Sequence, residues 1–289
     1  KGAIDAIQIM KEHHPDKTGK PFFLAMGFFR PHTPYVAPAH YAELYPLEKI
    51  IPLMEKAGDR NDIPSLALHD RPHQRELSLS KRKEIIQAYY ASITLMDACV
   101  GKLMDALDKL KLTENTIVVF FSDHGYHLGH HGLWQKSDLF EGSARVPMII
   151  SVPGERTVGK KSTSLVELID LYPTLAELCG LDKPSHLKGK SLVPILKDTT
   201  KSVREAAFTV TRARGKFSKK AVGQKPLGRT IRTSRYRYTE WGHDGKHGVE
   251  LYDYKTDPLE YINLARRKGN ESLVKLMQNK LHATRSYTR

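Results

Sequence analysis

Residues 116–136 read TIVVFFSDHGYHLGHHGLWQK. The first six residues are rich in β-branched and aromatic side chains and predict a strand that is buried on both faces. The glycines at 125, 129 and 132 break any helix after it, so the four histidines of the stretch do not share a helical face. Asp123 and His124 therefore follow the carboxyl end of a strand, which is where open α/β sheets bind their ligands.

Two other apolar segments predict strands of the same sheet. Residues 21–29 (PFFLAMGFF) form a continuous apolar run, and residues 145–154 (RVPMIISVPG) contain another. The first run must stop at residues 30–38 (RPHTPYVAP), because the three prolines there cannot donate to a ladder. If these strands are parallel neighbours, His32 and the Asp123-His124 pair point at one pocket.

Helical patterns alternate with these strands. The longest covers residues 80–111, where apolar residues recur every three or four positions and Ser78 or Ser80 offers an N-cap. A coiled coil would share this heptad, but we favour a helix that lays one stripe on a sheet. Shorter patterns cover residues 3–14 and residues 166–181, which include a C-cap glycine at 180. The alternation predicts an α/β fold.

The pattern changes after about residue 203. Short alternating segments separated by Gly-rich and charged turns predict antiparallel strands, and residues 271–284 (ESLVKLMQNKLHAT) predict a closing amphipathic helix. We therefore divide the chain into a main α/β domain at 1–202 and a small antiparallel α+β subdomain at 203–289. Residues 52–79 are predicted to form a long loop, a type of segment that is often functional.

Composition sets broad limits on the function. The 289 residues suffice for one large domain, or one large and one small, and 40% of them are apolar. The net charge of +14 favours contact with polyanions, although a generally basic surface explains it equally well. Two cysteines, Cys99 and Cys179, form no disulfide framework, and we interpret them as buried free thiols. No apolar stretch is long enough to predict a membrane span.

Three longer stretches resemble the sulfatase family of the alkaline-phosphatase superfamily. They are FFSDHGYHLGHHGLWQKSDLFEGSARVPMIISVPG, KPFFLAMGFFRPHTPYVAPAHYAELYPLEKI and, near the C-terminus, IRTSRYRYTEW with ELYDYKTDPLEYINL. The match is most similar to iduronate-2-sulfatase-type members. The resemblance implies an α/β/α sandwich, present here in part, and hydrolysis of sulfate esters on glycosaminoglycan-type or other anionic saccharides.

The resemblance also implies roles for individual residues. Asp123 and His124 match two ligands of a divalent cation, usually calcium, and many members have Asn where this chain has His124. Lys136 matches a lysine that contacts a sulfate oxygen, and His32 a histidine near the sulfate and the leaving oxygen. His131 is expected near the site or stabilising its loop. Tyr126 could contact substrate, and Trp134 and Arg145 could line the cleft.

The family's nucleophile is a formylglycine made within a C/S-x-P-x-R motif, and this sequence contains no such motif. We therefore expect an additional N-terminal portion of the same protein to supply it, together with two further Asp ligands. The implied location is periplasmic, extracellular or lysosomal. Alternatives are a phosphodiesterase or phosphonate monoester hydrolase of the same superfamily, and a non-catalytic protein that binds sulfated glycans. Zinc at the histidines and nucleic-acid binding have weaker support.

Overall fold

A computed structural model describes residues 1–69, 72–155, 157–213 and 225–283. The chain forms two units: Lys1–Pro52, Glu76–Val118 and Val152–Gly154 make the first, and Leu53–Arg75, Val119–Ser151 and Glu155–Arg289 the second. The predicted boundary between residues 202 and 203 stays a prediction. Parts of the basic segment 201–237 and of the terminal helical pattern lie outside the described residues.

The secondary structure elements are as follows. The α-helices of the described residues are α1 (Gly2–Glu12), α2 (Pro15–Thr18), α3 (Ala39–Glu43), α4 (Pro72–Arg75), α5 (Leu79–Lys109), α6 (Glu141–Ala144), α7 (Leu171–Leu178), α8 (Val193–Lys197) and α9 (Glu271–His282). The strands are β1 (Val118–Phe121), β2 (His127–Leu128), β3 (Trp134–Gln135), β4 (Met148–Ser151), β5 (Ala206–Arg212), β6 (Leu227–Thr233), β7 (Tyr236–Trp241) and β8 (Val249–Asp253). Single 3₁₀ turns cover Leu47–Lys49, Asp59–Asn61, Thr113–Asn115, His130–Gly132, Leu168–Asp170, His243–Gly245 and Leu264–Arg266.

The long helix α5 organises the first unit and confirms the prediction for residues 80–111. Its N-terminus is capped by Ser78, whose side chain accepts a hydrogen bond from the Lys81 backbone N–H at 3.2 Å. Its C-terminal apolar stripe packs with Met10 of α1. Because this stripe meets a short helix and an apolar segment of the same unit, α5 does not need a coiled-coil partner to bury it.

The strand predicted at residues 21–29 is wrong as stated. The segment is neither helix nor strand within the described residues. Its alternate side chains Phe22 and Leu24 pack on the α1–α5 core, whereas Phe23 is 86% exposed. Burial on both faces requires a second covering layer, and the described residues of this unit supply one face only.

The strands predicted at residues 116–121 and 145–154 are present as β1 and β4, which pair with each other. They are less buried than predicted, because Phe121 and Ile149 are exposed. The helix predicted at residues 166–181 is shorter, and Gly180 adopts the positive φ expected just beyond its end. Cys99 is half-buried on α5, but Cys179 is exposed at the end of α7, so the prediction of two buried thiols is wrong.

The antiparallel region predicted after residue 203 is confirmed. Strands β5, β6, β7 and β8 pair in that order, each antiparallel to the next. Helix α9 buries Met277 and Leu281 against one face of this sheet, where they meet Ile231, Tyr238 and Leu251. On the other face of the sheet, Trp241 and Tyr252 pack with Leu139 and Phe140, which belong to the segment that follows Lys136.

A buried carboxyl group in this sheet makes stability depend on pH. Glu250 on β8 is 2% exposed and accepts hydrogen bonds from Trp241 Nε1 at 2.7 Å and Tyr252 Oη at 3.0 Å. Burial raises the pKa of Glu250 to about 7 from an ordinary value of 4.5. The folded state therefore holds this proton more tightly than the unfolded chain does.

We expect this group to contribute stability that is fully present below pH 4.5 and is lost as the pH rises through about 7. The loss corresponds to about 3 kcal/mol. Glu250→Gln should remove this pH dependence. The free energy of unfolding of the variant should therefore rise relative to that of the wild type as the pH goes from 5 to 8. Urea unfolding at both pH values measures this, and equal pH dependences for the two proteins would contradict the prediction.

Candidate active site

The loop after β1 presents Asp123 and His124 side by side. Strand β1 ends at Phe121, and Ser122 Oγ donates to the His124 carbonyl oxygen at 2.8 Å. Asp123 Oδ1 accepts from the His124 backbone N–H at 3.0 Å. These local bonds turn the chain sharply at the strand end, because short polar side chains satisfy backbone groups that the ladder no longer pairs.

The imidazole of His124 is oriented by the backbone. Its Nδ1 lies 2.8 Å from the Gly125 carbonyl oxygen, which makes Nδ1 the protonated nitrogen and leaves the Nε2 lone pair available. Nε2 lies 3.6 Å from Asp123 Oδ2, and the two side chains are 39% and 83% exposed. Two donor atoms bound to one divalent cation lie about 3 to 4 Å apart. The pair therefore fits a cation site.

Gly125 connects this pair to the segment 140–145. Its N–H donates to the Ser143 carbonyl oxygen at 2.8 Å. A Cβ at Gly125 would lie 2.1 Å from the Gly142 carbonyl oxygen and 2.7 Å from that of Arg145. The backbone of helix α6 therefore packs directly against residue 125, and only glycine leaves room for this approach.

Two of the other three histidines in the stretch are buried against carboxyl groups. His127 Nε2 lies 3.0 Å from Asp138 Oδ1, and both side chains are 1% exposed. Burial acts to raise the pKa of Asp138, but the charge and hydrogen bond of His127 outweigh it and the pKa is lowered. His130, between them, has its pKa lowered to about 4, first of all by burial. This part of the cluster stabilises the loop.

His131 is 2% exposed, and its Nδ1 lies 3.0 Å from Asp59 Oδ2. Its ring stacks on Phe140 with centroids 4.3 Å apart. Of the two roles expected for His131, this geometry supports loop stabilisation, and a contact with substrate stays a prediction. Trp134 is buried and Arg145 is exposed.

Lys136 follows β3 in a strained turn. Its neighbours Gln135 and Ser137 have φ values of 105° and 84°, a region that costs a non-glycine residue about 1–3 kcal/mol. Lys136 is half-buried, and its carbonyl oxygen lies 3.0 Å from His69 Nε2. Local strain of this kind persists only where surrounding contacts hold the backbone.

The remaining predicted residues are distributed between the two units. Tyr126 is half-buried in the second unit, which also contains Asp123, His124 and Lys136. His32 belongs to the first unit, where its Nδ1 lies 2.7 Å from the Thr33 carbonyl oxygen and its ring is 5.0 Å from that of Phe29. Among the predicted site residues, Asp123 and His124 are the two whose side chains the structure shows close to each other.

Sequence reasoning missed the residues that hold this loop from residues 53–75. Arg60 donates to the His131 carbonyl oxygen at 3.1 Å, and Gln74 donates to that of Trp134 at 3.3 Å. With Asp59 and His69, four side chains of the predicted long loop thus contact residues 131–136. No spacing rule signals such contacts, because the partners are about 60 to 72 positions apart in sequence.

A second group of metal-capable side chains lies far along the chain, at Glu240, Asp244 and His282. Glu240 already accepts hydrogen bonds from Tyr238 Oη and Gln278 Nε2, each at 3.1 Å, and lies 2.9 Å from His282 Nε2. These bonds satisfy the buried carboxylate without an ion. The three residues are therefore explained by the hydrogen bonds that connect α9 to the sheet.

Two family models match long parts of this chain. Residues 5–181 match the family described as sulfatase, and residues 129–287 match the C-terminal region of N-sulphoglucosamine sulphohydrolase. A sulfatase of Formosa agariphila is 34% identical, covering 96% of this chain and 54% of that protein. Iduronate 2-sulfatase of Mus musculus is 30% identical, covering 90% of this chain and 60% of that enzyme. The chain thus spans little more than half the length of these relatives.

The solved structure of phosphonate monoester hydrolase from Silicibacter pomeroyi shares the fold. It superposes with a TM-score of 0.85 at 21% identity and covers 100% of this chain and 60% of that one. At this level of identity the likeness concerns the fold alone. Within the described residues, no helix has the length and apolar character needed to cross a bilayer.

Proposed function

This chain belongs to the sulfatase family, and we propose that it is part of a sulfuric ester hydrolase acting on glycosaminoglycan-type or other anionic saccharides. The α/β fold predicted from the sequence is confirmed, and so is the antiparallel sheet near its C-terminus. The observation that carries the proposal is the Asp123-His124 pair, whose Nε2 and Oδ2 atoms lie 3.6 Å apart at the end of β1. The net charge of +14 supports an anionic substrate.

Asp123 and His124 would hold a divalent cation, and we propose calcium. A carboxylate and an imidazole nitrogen are suitable donors for such an ion, and the bond from His124 Nδ1 to Gly125 keeps Nε2 directed to it. When bound, the cation supplies positive charge next to the sulfuryl group. Asp123, 83% exposed, remains open to both ion and substrate.

The chain's own residues account for the remaining charges of the reaction. As a sulfate ester breaks, negative charge grows on the bridging oxygen and on the sulfuryl oxygens. We propose that Lys136 contacts a sulfuryl oxygen and that His32 donates a proton to the leaving oxygen. Tyr126 and His131 would contribute to substrate binding, His131 through the loop that it stabilises.

The nucleophile is proposed to be a formylglycine in an N-terminal portion of the same protein, which would also be a binding partner of these residues. Two facts support this: no C/S-x-P-x-R motif occurs in the 289 residues, and the relatives are nearly twice as long. The proposed location is periplasmic, extracellular or lysosomal, where glycosaminoglycan-type substrates are met.

A second candidate function is hydrolysis of phosphonate monoesters or phosphodiesters. The superposition on a phosphonate monoester hydrolase favours it, although the likeness concerns the fold alone. The two reactions need the same cation and the same positive groups, because both transition states carry negative charge on the transferred group. A non-catalytic glycan-binding protein is the third possibility that the basic composition supports.

The proposal is tested with the complete protein from the full reading frame. We expect 4-nitrophenyl sulfate to be hydrolysed faster than bis(4-nitrophenyl) phosphate, and Lys136→Ala to lower sulfate turnover by about a hundredfold. Faster phosphodiester hydrolysis would favour the second candidate. Heparin binding without turnover of either compound would favour the third and contradict an enzymatic role.

A further inference from the structure

The backbone around Lys136 is strained on both sides of the residue. Gln135 has φ 105° and Ser137 has φ 84°, so two non-glycine residues with positive φ flank the lysine. Neither conformation is favoured by the residue type. The direction in which Lys136 leaves the backbone therefore depends on contacts made by other segments, and a small rotation of this turn would move its ammonium group substantially.

His69 contacts the backbone of Lys136 itself. Its Nε2 lies 3.0 Å from the Lys136 carbonyl oxygen, which belongs to the peptide between Lys136 and the strained Ser137. An imidazole Nε2–H that donates to this carbonyl fixes the orientation of that peptide plane. Gln74, from the same segment, holds the Trp134 carbonyl oxygen at a longer distance of 3.3 Å.

A second anchor follows two residues later. Asp138 is buried and accepts from Phe140 N–H at 3.0 Å and Ser143 Oγ at 3.0 Å, while His127 Nε2 lies 3.0 Å away. The chain is therefore fixed at residue 138 by a carboxyl group that makes three hydrogen bonds. Between this anchor and β3, the hydrogen bond from His69 holds the peptide that follows the lysine, and it is the side-chain bond to this peptide seen among the described residues.

We propose that His69 is a positioning residue that directs Lys136 toward the sulfuryl oxygens. This inference rests on the proposed function, since it assigns His69 a role through Lys136. His69 itself need not contact substrate. Its hydrogen bond compensates the strained turn and keeps the ammonium group in a single direction, which lowers the cost of orienting it during the reaction.

The test compares His69 variants of the complete protein with 4-nitrophenyl sulfate. We expect His69→Ala to lower kcat about tenfold to a hundredfold, with a smaller change in KM. His69→Gln, which keeps an N–H donor, should recover most of the lost turnover. Gln74→Ala is the matched control, because it removes the hydrogen bond from the same segment to the Trp134 carbonyl oxygen of β3 instead of the one to Lys136, and its kcat should change less than threefold.

A double variant separates positioning from a general structural role. If His69 acts through Lys136, then His69→Ala adds no further loss of kcat in the Lys136→Ala background. An additive loss, or a His69→Ala enzyme with wild-type kcat, would overturn the inference. Its failure is distinct from that of the proposed function: Lys136→Ala with unchanged turnover contradicts the role of the lysine, whereas a defective Lys136→Ala beside a normal His69→Ala contradicts only the role of His69.

Discussion

His124→Ala in the complete protein should lower turnover of 4-nitrophenyl sulfate by about a thousandfold, the scale on which fixed positive charge stabilises a developing oxyanion. The variant removes one of the two side chains that we propose as cation ligands. In the wild type, the bond from His124 Nδ1 to the Gly125 carbonyl oxygen leaves Nε2 free to bind the cation. Because His124 is 39% exposed, its removal leaves no buried cavity, and the fold should be retained.

Two controls make this expectation specific. His124→Asn replaces the imidazole by an amide oxygen that can also bind a hard cation, so it should retain more turnover than His124→Ala. Calcium should raise the melting temperature of the wild type and have less effect on His124→Ala, because a ligand stabilises only the state that binds it. Unchanged turnover and an unchanged calcium response in His124→Ala would show that the pair is not a cation site.

Local sequence patterns predicted the elements whose burial is decided by nearby residues. The helical spacing of apolar residues at 80–111 and their alternation after residue 203 correspond to α5 and the antiparallel sheet. Both predictions succeed because the spacing of apolar residues follows the period of the element that buries them. The strand before Asp123 and His124 was predicted in the same way, whereas their role as cation ligands came from the resemblance and stays a prediction. Residues 21–29 were misjudged because ladder pairing depends on a distant partner, which no local run of apolar residues specifies.

The positions of the histidines illustrate the limit more clearly. His127, His130 and His131 have the same local context as His124, yet two of them are buried against carboxylates at Asp138 and Asp59. The second of these lies 72 residues away in the chain. Which imidazole faces solvent is thus decided by tertiary contacts, and a resemblance to a family supplied the distinction that spacing alone could not.

A buried ion network connects the segment after Lys136 to the C-terminal sheet. Arg237 on β7 is 3% exposed, and its Nε lies 3.0 Å from Glu260 Oε1 and 3.0 Å from Tyr254 Oη. Its Nη2 also pairs with Glu141, the first residue of α6. Glu260 closes the network by accepting the Glu141 backbone N–H at 2.8 Å. Since α6 packs against Gly125, this network supports the loop that carries the Asp123-His124 pair.

Arg237→Met is therefore expected to lower the free energy of unfolding by about 3–5 kcal/mol, the usual cost of leaving buried charge without its partner. Burial acts to lower the pKa of Arg237, but Tyr254, Glu260 and Glu141 outweigh it, so the guanidinium stays charged. Its loss removes the cation that pairs with the buried Glu260, whereas Glu141 keeps Arg232, whose Nε lies 3.5 Å away. Urea unfolding followed by tryptophan fluorescence measures this, since both tryptophans, Trp134 and Trp241, are buried in the same unit.

Arg235→Met is the matched control, because Arg235 lies two residues before Arg237, in the turn that leads into β7. Its side chain is 48% exposed and pairs with Asp253 at 2.7 Å, so its removal should cost much less stability than the removal of the buried Arg237. Adding Glu260→Gln to Arg237→Met should recover part of the lost stability, because it removes the carboxylate left unpaired. If Arg237→Met lowers the free energy of unfolding no more than Arg235→Met does, the prediction is wrong. The contacts of Arg237 between α6 and the C-terminal sheet then do not stabilise this unit.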